Sequence, residues 1–213
     1  MPQLSLSRFP LPASPEGHPL DIVNRGTALA CIAHHDQTRK DGVTPQLLHV
    51  LSVQRLLARA GIEDERIHAA ALLHDAVEDN PGPRGELLRK HIGISLGAEV
   101  LAMVDALTEP DAPELSRAER KARQLQRITH APWNVKVIKL ADVVASFQEG
   151  PALHWSIDDA ARYVQQRCRL VDQVLRPSSA ALVHEFEAAL AGPAWRAALA
   201  ASEVGTREVT RHD

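Results

Sequence analysis

From Asp21 almost to the end of the chain, apolar side chains recur every third or fourth residue, and nowhere do they alternate over the length of a strand. A helix brings the same face round every 3.6 residues, so a chain patterned this way can bury one stripe of each segment against its neighbours. The spacing predicts helices near 21–37, 45–60, 63–79, 84–92, 95–108, 114–130, 133–148, 156–175 and 178–202. The breaks between them carry helix-stopping residues. Gly42 and Pro45 separate the first two, Gly61 ends the second, and Pro81-Gly82-Pro83 stops the third. Glu109-Pro110 closes the fifth, and Gly150-Pro151 follows the seventh. Aromatic residues make up only 3% of the chain, so its core must be built from Leu, Ala, Val and Ile. Small aliphatic side chains favour closely packed helices over a β-sandwich. The expectation is one all-α bundle over 21–201, preceded by a Pro-rich arm at 1–20 and followed by a polar tail at 202–213.

A formal net charge of −3 gives no general attraction to nucleic acid or to anionic membranes, so a polyanionic ligand would need a local basic pocket. The first twenty residues lack the charged start and apolar centre of a signal peptide, and no run is long and apolar enough to span a bilayer. Cys31 and Cys168 stand far apart in no metal or redox spacing and read as two reduced thiols. These features lead us to expect a soluble, cytoplasmic protein with neither a nucleic-acid nor a membrane partner. A homo-oligomer stays open.

One stretch does not fit a purely structural bundle. "AALLHDAVEDN", Ala70 to Asn80, sets His74 and Asp75 in an apolar segment and follows them with Glu78 and Asp79. On a continuous third helix the last two lie one turn behind the first two, so one surface would carry an imidazole and three carboxylates. A withdrawn carboxylate is costly unless a cation neutralises it. Two further segments raise the same problem. His49 lies between Leu47-Leu48 and Val50-Leu51, and Asp142 lies within "VKVIKLADVVASF". Taken alone, a histidine so placed is more often a satisfied core residue than a ligand. Together His49, His74, Asp75 and Asp142 offer two nitrogens and two oxygens. That set suits one Mn²⁺, Fe²⁺ or Zn²⁺ ion and leaves room for water.

H…HD…D in this order is the ligand pattern of the HD-domain metal-dependent phosphohydrolases, and the surrounding residues narrow the resemblance. "AALLHDAVEDN" resembles the AALLHD-x-VED-T segment of RelA/SpoT-type (p)ppGpp hydrolase domains. "HHDQTRKDGVTPQLLH" is similar to their H-x-GQ-x-RK-x-G-x-PY-x-x-H, and "VIKLAD" to their VKLAD. "HIGISLGAEVLAMVDALTE" is similar to their FG-x-x-V-x-x-LV-x-x-x-T stretch. The likeness covers roughly Ala28 to Phe147, so the chain resembles a stand-alone small alarmone hydrolase of the metazoan SpoT-homologue kind.

This resemblance implies that His49, His74, Asp75 and Asp142 hold one Mn²⁺, and that Glu78 and Asp79 position and deprotonate the attacking water. It places Arg39 and Lys40 near a nucleotide base, and Arg120 and Lys121 near the substrate phosphates. The implied reaction releases GDP or GTP and pyrophosphate from the 3′-diphosphate of a (p)ppGpp-like nucleotide. The chain departs from the family pattern in three places. The tyrosine and second proline of PY-x-x-HP are Gln46 and Val50, the GQ glycine is Asp36, and Ser146 stands where the family has a nucleotide-contacting asparagine. Ser146 offers fewer hydrogen bonds than an amide, which leaves guanine, adenine and other bases open.

Two other readings are carried forward: an HD phosphohydrolase acting on a nucleoside monophosphate or a phosphorylated dinucleotide cofactor, and a silent HD module that only binds a nucleotide or partner. The intact Glu78-Asp79 pair argues against the silent module. The group Cys31, His34, His35 and Asp36 is read as structural, with His34 or His35 near the pocket. Trp155 is read as a packing residue that could also cover the nucleotide pocket, and Trp195 as capping the bundle or meeting a second subunit. His91, His130 and His184 have no role assigned.

Overall fold

The computed structural model describes residues 20–109 and 114–201, apart from the side chains of residues 20, 21, 117, 118 and 121. The expected Pro-rich arm and polar tail lie outside the described residues. Among the described residues there is no strand, only an isolated antiparallel bridge between Thr38 and Pro45. The helices are α1 (Leu20–Ala33), α2 (Gln46–Arg59), α3 (Glu65–Leu72), α4 (Pro83–Leu96) and α5 (Ala98–Leu107). They continue as α6 (Arg117–His130), α7 (Trp133–Glu149), α8 (Ile157–Leu170) and α9 (Ala180–Leu190). A π-turn at Val171–Leu175 and a 3₁₀ turn at Arg176–Ser178 join α8 to α9, and a last helical segment covers 196–201. No helix is long and apolar enough to cross a membrane among the described residues.

The bundle is organised around α7. Val135, Val137, Ile138, Leu140, Ala141, Val143, Val144, Ala145 and Phe147 are all buried, so the helix is apolar on most of its circumference. A helix of that kind belongs in a protein interior. Helices α2, α3, α5 and α9 pack around it, and α1 packs on α3. The α1–α3 contact is close because Gly26 faces Ala69; a Cβ added at Gly26 would sit 3.3 Å from the Ala69 Cα. Beyond α7, Trp195 is buried against Phe147 and donates its indole N–H to the Phe147 carbonyl at 2.8 Å. It serves as the packing residue the sequence implied.

The third helix differs from expectation. The spacing predicts one helix over 63–79, but α3 stops at Leu72 and residues 73–79 form a chain of turns. The Leu73, Ala76 and Asn80 amides each bond to the carbonyl three residues back rather than four. The His74 imidazole donates from Nδ1 to the Ala71 carbonyl at 2.8 Å, taking an acceptor that a continuing helix would have used. The turn is pinned from outside by Asn80, whose amide donates to Ala76 O at 2.8 Å and Ala33 O at 3.3 Å. Gln37 adds a bond to the Asp79 carbonyl at 2.9 Å. Apolar spacing in "AALLHDAV" reports burial, and these buried residues pack from a turn as well as from a helix.

Candidate metal centre

His49 enters from α2, Asp142 from the middle of α7, and His74 and Asp75 from the turn after α3. The packing of α2 and α3 on α7 brings them together. One ligand atom each from His49, His74 and Asp142 lie within 4.8 Å of one another. His49 Nε2 is 3.2 Å from Asp142 Oδ1 and 4.0 Å from Asp75 Oδ2. His74 Nε2 is 3.2 Å from Asp75 Oδ1 and 3.8 Å from Asp142 Oδ1. Both imidazoles are buried, His49 to 1% and His74 to 2% exposure, whereas the two carboxylates open into a cleft.

The donor set fits a divalent cation. His74 Nε2 is buried, faces two carboxylates and forms no hydrogen bond among the described residues. A nitrogen so placed between two carboxylates needs either a proton or a metal ion. The electrostatics agree. Burial works against charging either histidine, yet Asp75 and Asp142 overcome it and raise His74 well above its usual value, and hydrogen bonds to Asp142 and Glu149 raise His49. Burial likewise opposes ionisation of Asp142 and Asp75, but Lys139 and the histidines bring Asp142 well below the carboxylate range, and His74 chiefly lowers Asp75. Protons on the imidazoles thus occupy the positions a metal's charge would take.

Asp75 and Asp142 line a cleft of about 620 Å³. Glu78 and Asp79 stand at its edge. The Glu78 Oε2 accepts the Glu109 amide at 2.8 Å. Both are exposed at the cleft, yet partial desolvation by the surrounding protein raises Glu78, and the same cause, with repulsion from Asp75 and Glu78, pushes Asp79 up to about 7. Of the expected substrate residues, Arg39, Lys40, Arg120 and Ser146 all line this cleft. The Lys121 side chain lies outside the described ones. Arg120 pairs with Glu109 at 2.9 Å, and Lys40 sits over the Trp155 and Tyr163 rings at 4.8 and 5.4 Å. Trp155 therefore borders the adjoining pocket beside Lys40 as well as packing on Tyr163.

Several cleft residues escaped the sequence reading. Lys139 pairs with Asp142 Oδ2 at 2.7 Å, and Gln46 donates to Asp75 Oδ2 at 2.8 Å. Tyr163 and Arg167 reach in from α8, the guanidinium stacking 5.1 Å from the Tyr163 ring centre. Spacing held clues to all of them. Lys139 precedes Asp142 by one turn, Gln46 precedes His49 by one turn, and Tyr163 and Arg167 are four apart. The group at the end of α1 stands apart from the residues lining the cleft, and its His34 Nε2 is buried without a hydrogen-bond partner among the described residues. Cys31 is exposed, His35 pairs with Asp36 at 3.3 Å, and buried His34 meets Gln37 Oε1 at 2.5 Å, with burial lowering its pKa.

An all-helical bundle that sets two imidazoles and two carboxylates at the head of a polar cleft has the architecture of a metal-dependent phosphohydrolase. The chain belongs to the HD-domain family, whose model matches residues 27–175. It is similar to guanosine-3′,5′-bis(diphosphate) 3′-pyrophosphohydrolase MESH1 of Danio rerio, at 31% identity over 79% of this chain and 89% of the relative. MESH1 of Mus musculus is 36% identical over 54% of this chain, and that alignment spans 62% of the mouse protein, less than two thirds of its length. A solved structure described as a metazoan orthologue of SpoT that hydrolyses ppGpp superposes with a TM-score of 0.71 at 28% identity, covering 82% of this chain and 96% of that one.

Proposed function

We propose that the chain hydrolyses the 3′-diphosphate of (p)ppGpp-like alarmones to the 5′-nucleotide and pyrophosphate, with Mn²⁺ as the ion, in the cytoplasm. The observation that carries the reading is the convergence of His49, His74, Asp75 and Asp142 beside Glu78 and Asp79 in a cleft bordered by Arg and Lys. The similarity to the MESH1 pyrophosphohydrolases supports the choice of substrate.

A divalent ion held by the four ligands would supply Lewis acidity at the phosphoryl oxygens and lower the pKa of a bound water. Asp79 lines the cleft with Asp75 and Asp142 and is assigned as the general base, its ionised form being favoured by a dication nearby. Glu78 is held by the Glu109 amide and keeps its other oxygen to orient the attacking water. Arg120 and Arg167 supply cations for the phosphates of a polyanionic substrate in a chain of net negative charge. Overall, one water is consumed, its oxygen passes to the released pyrophosphate, and the 3′-oxygen leaves with a proton.

The test is release of pyrophosphate and of monophosphate by the Mn²⁺-loaded protein from ppGpp, ppApp and a panel of ordinary nucleotides. Asp142→Ala serves as the control. Pyrophosphate from an alarmone, absent in the control, is the expected result. Monophosphate from another nucleotide alone, or no turnover with metal bound, would refute it.

A further inference from the structure

Two of the four proposed ligand residues are joined beside the metal cluster by a continuous run of hydrogen bonds. His49 Nδ1 meets Glu149 Oε1 at 2.7 Å. The other oxygen of Glu149 accepts from Arg39 Nε at 2.8 Å and Nη2 at 2.6 Å. Arg39 Nη1 donates to Gln46 Oε1 at 3.2 Å, and Gln46 Nε2 donates to Asp75 Oδ2 at 2.8 Å. The run therefore leads from one ligand, His49, through Glu149, Arg39 and Gln46 to another, Asp75.

Each link fixes the direction of the next. Arg39 can only donate and engages one Glu149 oxygen with two N–H groups, which leaves the other oxygen for His49. The Gln46 amide must turn its oxygen to Arg39, so its NH₂ necessarily faces Asp75. At His49 two carboxylates compete for ring protons. Glu149 is closer, at 2.7 Å against 3.2 Å for Asp142, and Asp142 already accepts from Lys139 at 2.7 Å. A neutral His49 ring therefore keeps its proton on Nδ1 and turns the Nε2 lone pair toward the cluster. His74 reaches the same arrangement through the Ala71 carbonyl.

We propose that Glu149 and Gln46 are positioning residues for the metal centre. Braced by Arg39, they set the tautomer of His49 and the direction of the Asp75 carboxylate. Arg39 thereby has a duty within the metal site that is separate from any contact with a nucleotide. The inference rests on the metal-hydrolase reading of this cluster and not on the identity of the substrate. Its tests contain no nucleotide, so an enzyme that rejected alarmones would leave them intact.

The first test is ¹⁵N NMR of histidine-labelled, metal-free wild type at a pH high enough to neutralise His49. The expected signature is a protonated Nδ1 and an unprotonated Nε2; the opposite tautomer overturns the proposal. The second is titration with Mn²⁺, following free Mn²⁺ by its EPR signal. Glu149→Ala and Gln46→Ala should each bind Mn²⁺ about 10–100-fold more weakly, the usual consequence of losing a partner behind a ligand. Glu149→Gln keeps an acceptor at the same reach and should recover part of the loss. Gln46→Ala removes no net charge, so its loss cannot come from a change in the net charge of the site. The double variant should lose less than the product of the single losses, because both act through one run of bonds. Wild-type affinity in both single variants, or losses that multiply, would overturn the proposal.

Discussion

At Asp79 the surroundings change the chemistry of a side chain without changing its type. Its carboxyl is exposed at the cleft but crowded by surrounding protein, and it faces Asp75 and Glu78; these causes raise its pKa from 3.8 to about 7. In the metal-free fold the neutral acid is therefore favoured. Asp79 contributes stability that is complete below pH 3.8 and is lost as pH rises through about 7. Thermal melts of metal-free wild type and Asp79→Asn should diverge across that window, with the variant gaining relative to wild type as pH rises. A dication nearby favours the ionised form, so the acidic limb of kcat in the loaded enzyme should fall below pH 7. Asp79→Asn should keep its metal and lose about 10²–10⁴-fold in kcat, the usual range for removing a general base. Undiminished turnover in a metal-replete Asp79→Asn protein would remove Asp79 from the mechanism.

The element that matters most is the run of turns from Leu73 to Asn80. Its apolar residues Leu73, Ala76 and Val77 remain buried while Glu78 and Asp79 swing out to the cleft. Asn80 is buried and binds the segment to α1, which also approaches α3 closely at Gly26. Replacing Asn80 by Ala leaves the Ala76 carbonyl short of a donor and the Ala33 carbonyl with Arg84 Nη2 alone, at 3.2 Å. The variant should lose about 1–3 kcal/mol in denaturant unfolding, with turnover falling before metal affinity does. Gly26→Val inserts bulk against the Ala69 backbone, which cannot move aside as a flexible side chain would. A cost of about 1–3 kcal/mol is expected there. Equal stability of Gly26→Val and wild type would mean that α1 does not rest on α3 as described.

For the whole molecule, metal binding and proton binding oppose each other. His49 and His74 carry raised pKa values because carboxylates surround them, and an ion must displace those protons to bind. Mn²⁺ affinity should therefore weaken as pH falls through the raised histidine range. Calorimetry in buffers of different ionisation enthalpy should show net proton release near neutral pH. Metal at 100-fold over its Kd should stabilise the bundle by about 2.7 kcal/mol, provided the unfolded chain does not bind it. The ligands come from α2, α7 and the turn after α3, so that stabilisation should appear as one cooperative transition. A melt unchanged by saturating Mn²⁺ would contradict the site.

The linear order of residues determined the helical class and most helix positions, and it pointed to the four candidate ligand residues. Periodicity and the cost of placing His49 and Asp142 in apolar runs are properties of short stretches of chain. The likeness of "AALLHDAVEDN" and "VIKLAD" to a known ligand pattern added the chemistry. Tertiary structure alone decided that the third helix ends at Leu72, because the competing acceptor bond is made by the His74 ring and the staple comes from Asn80 reaching α1. It also decided which side chains stand behind the ligands. Glu149 is one hundred residues from His49, and Gln46 is twenty-nine from Asp75. Such pairings depend on how α2 and the turn after α3 settle against α7, and a hydrogen bond between distant residues leaves no period in a sequence.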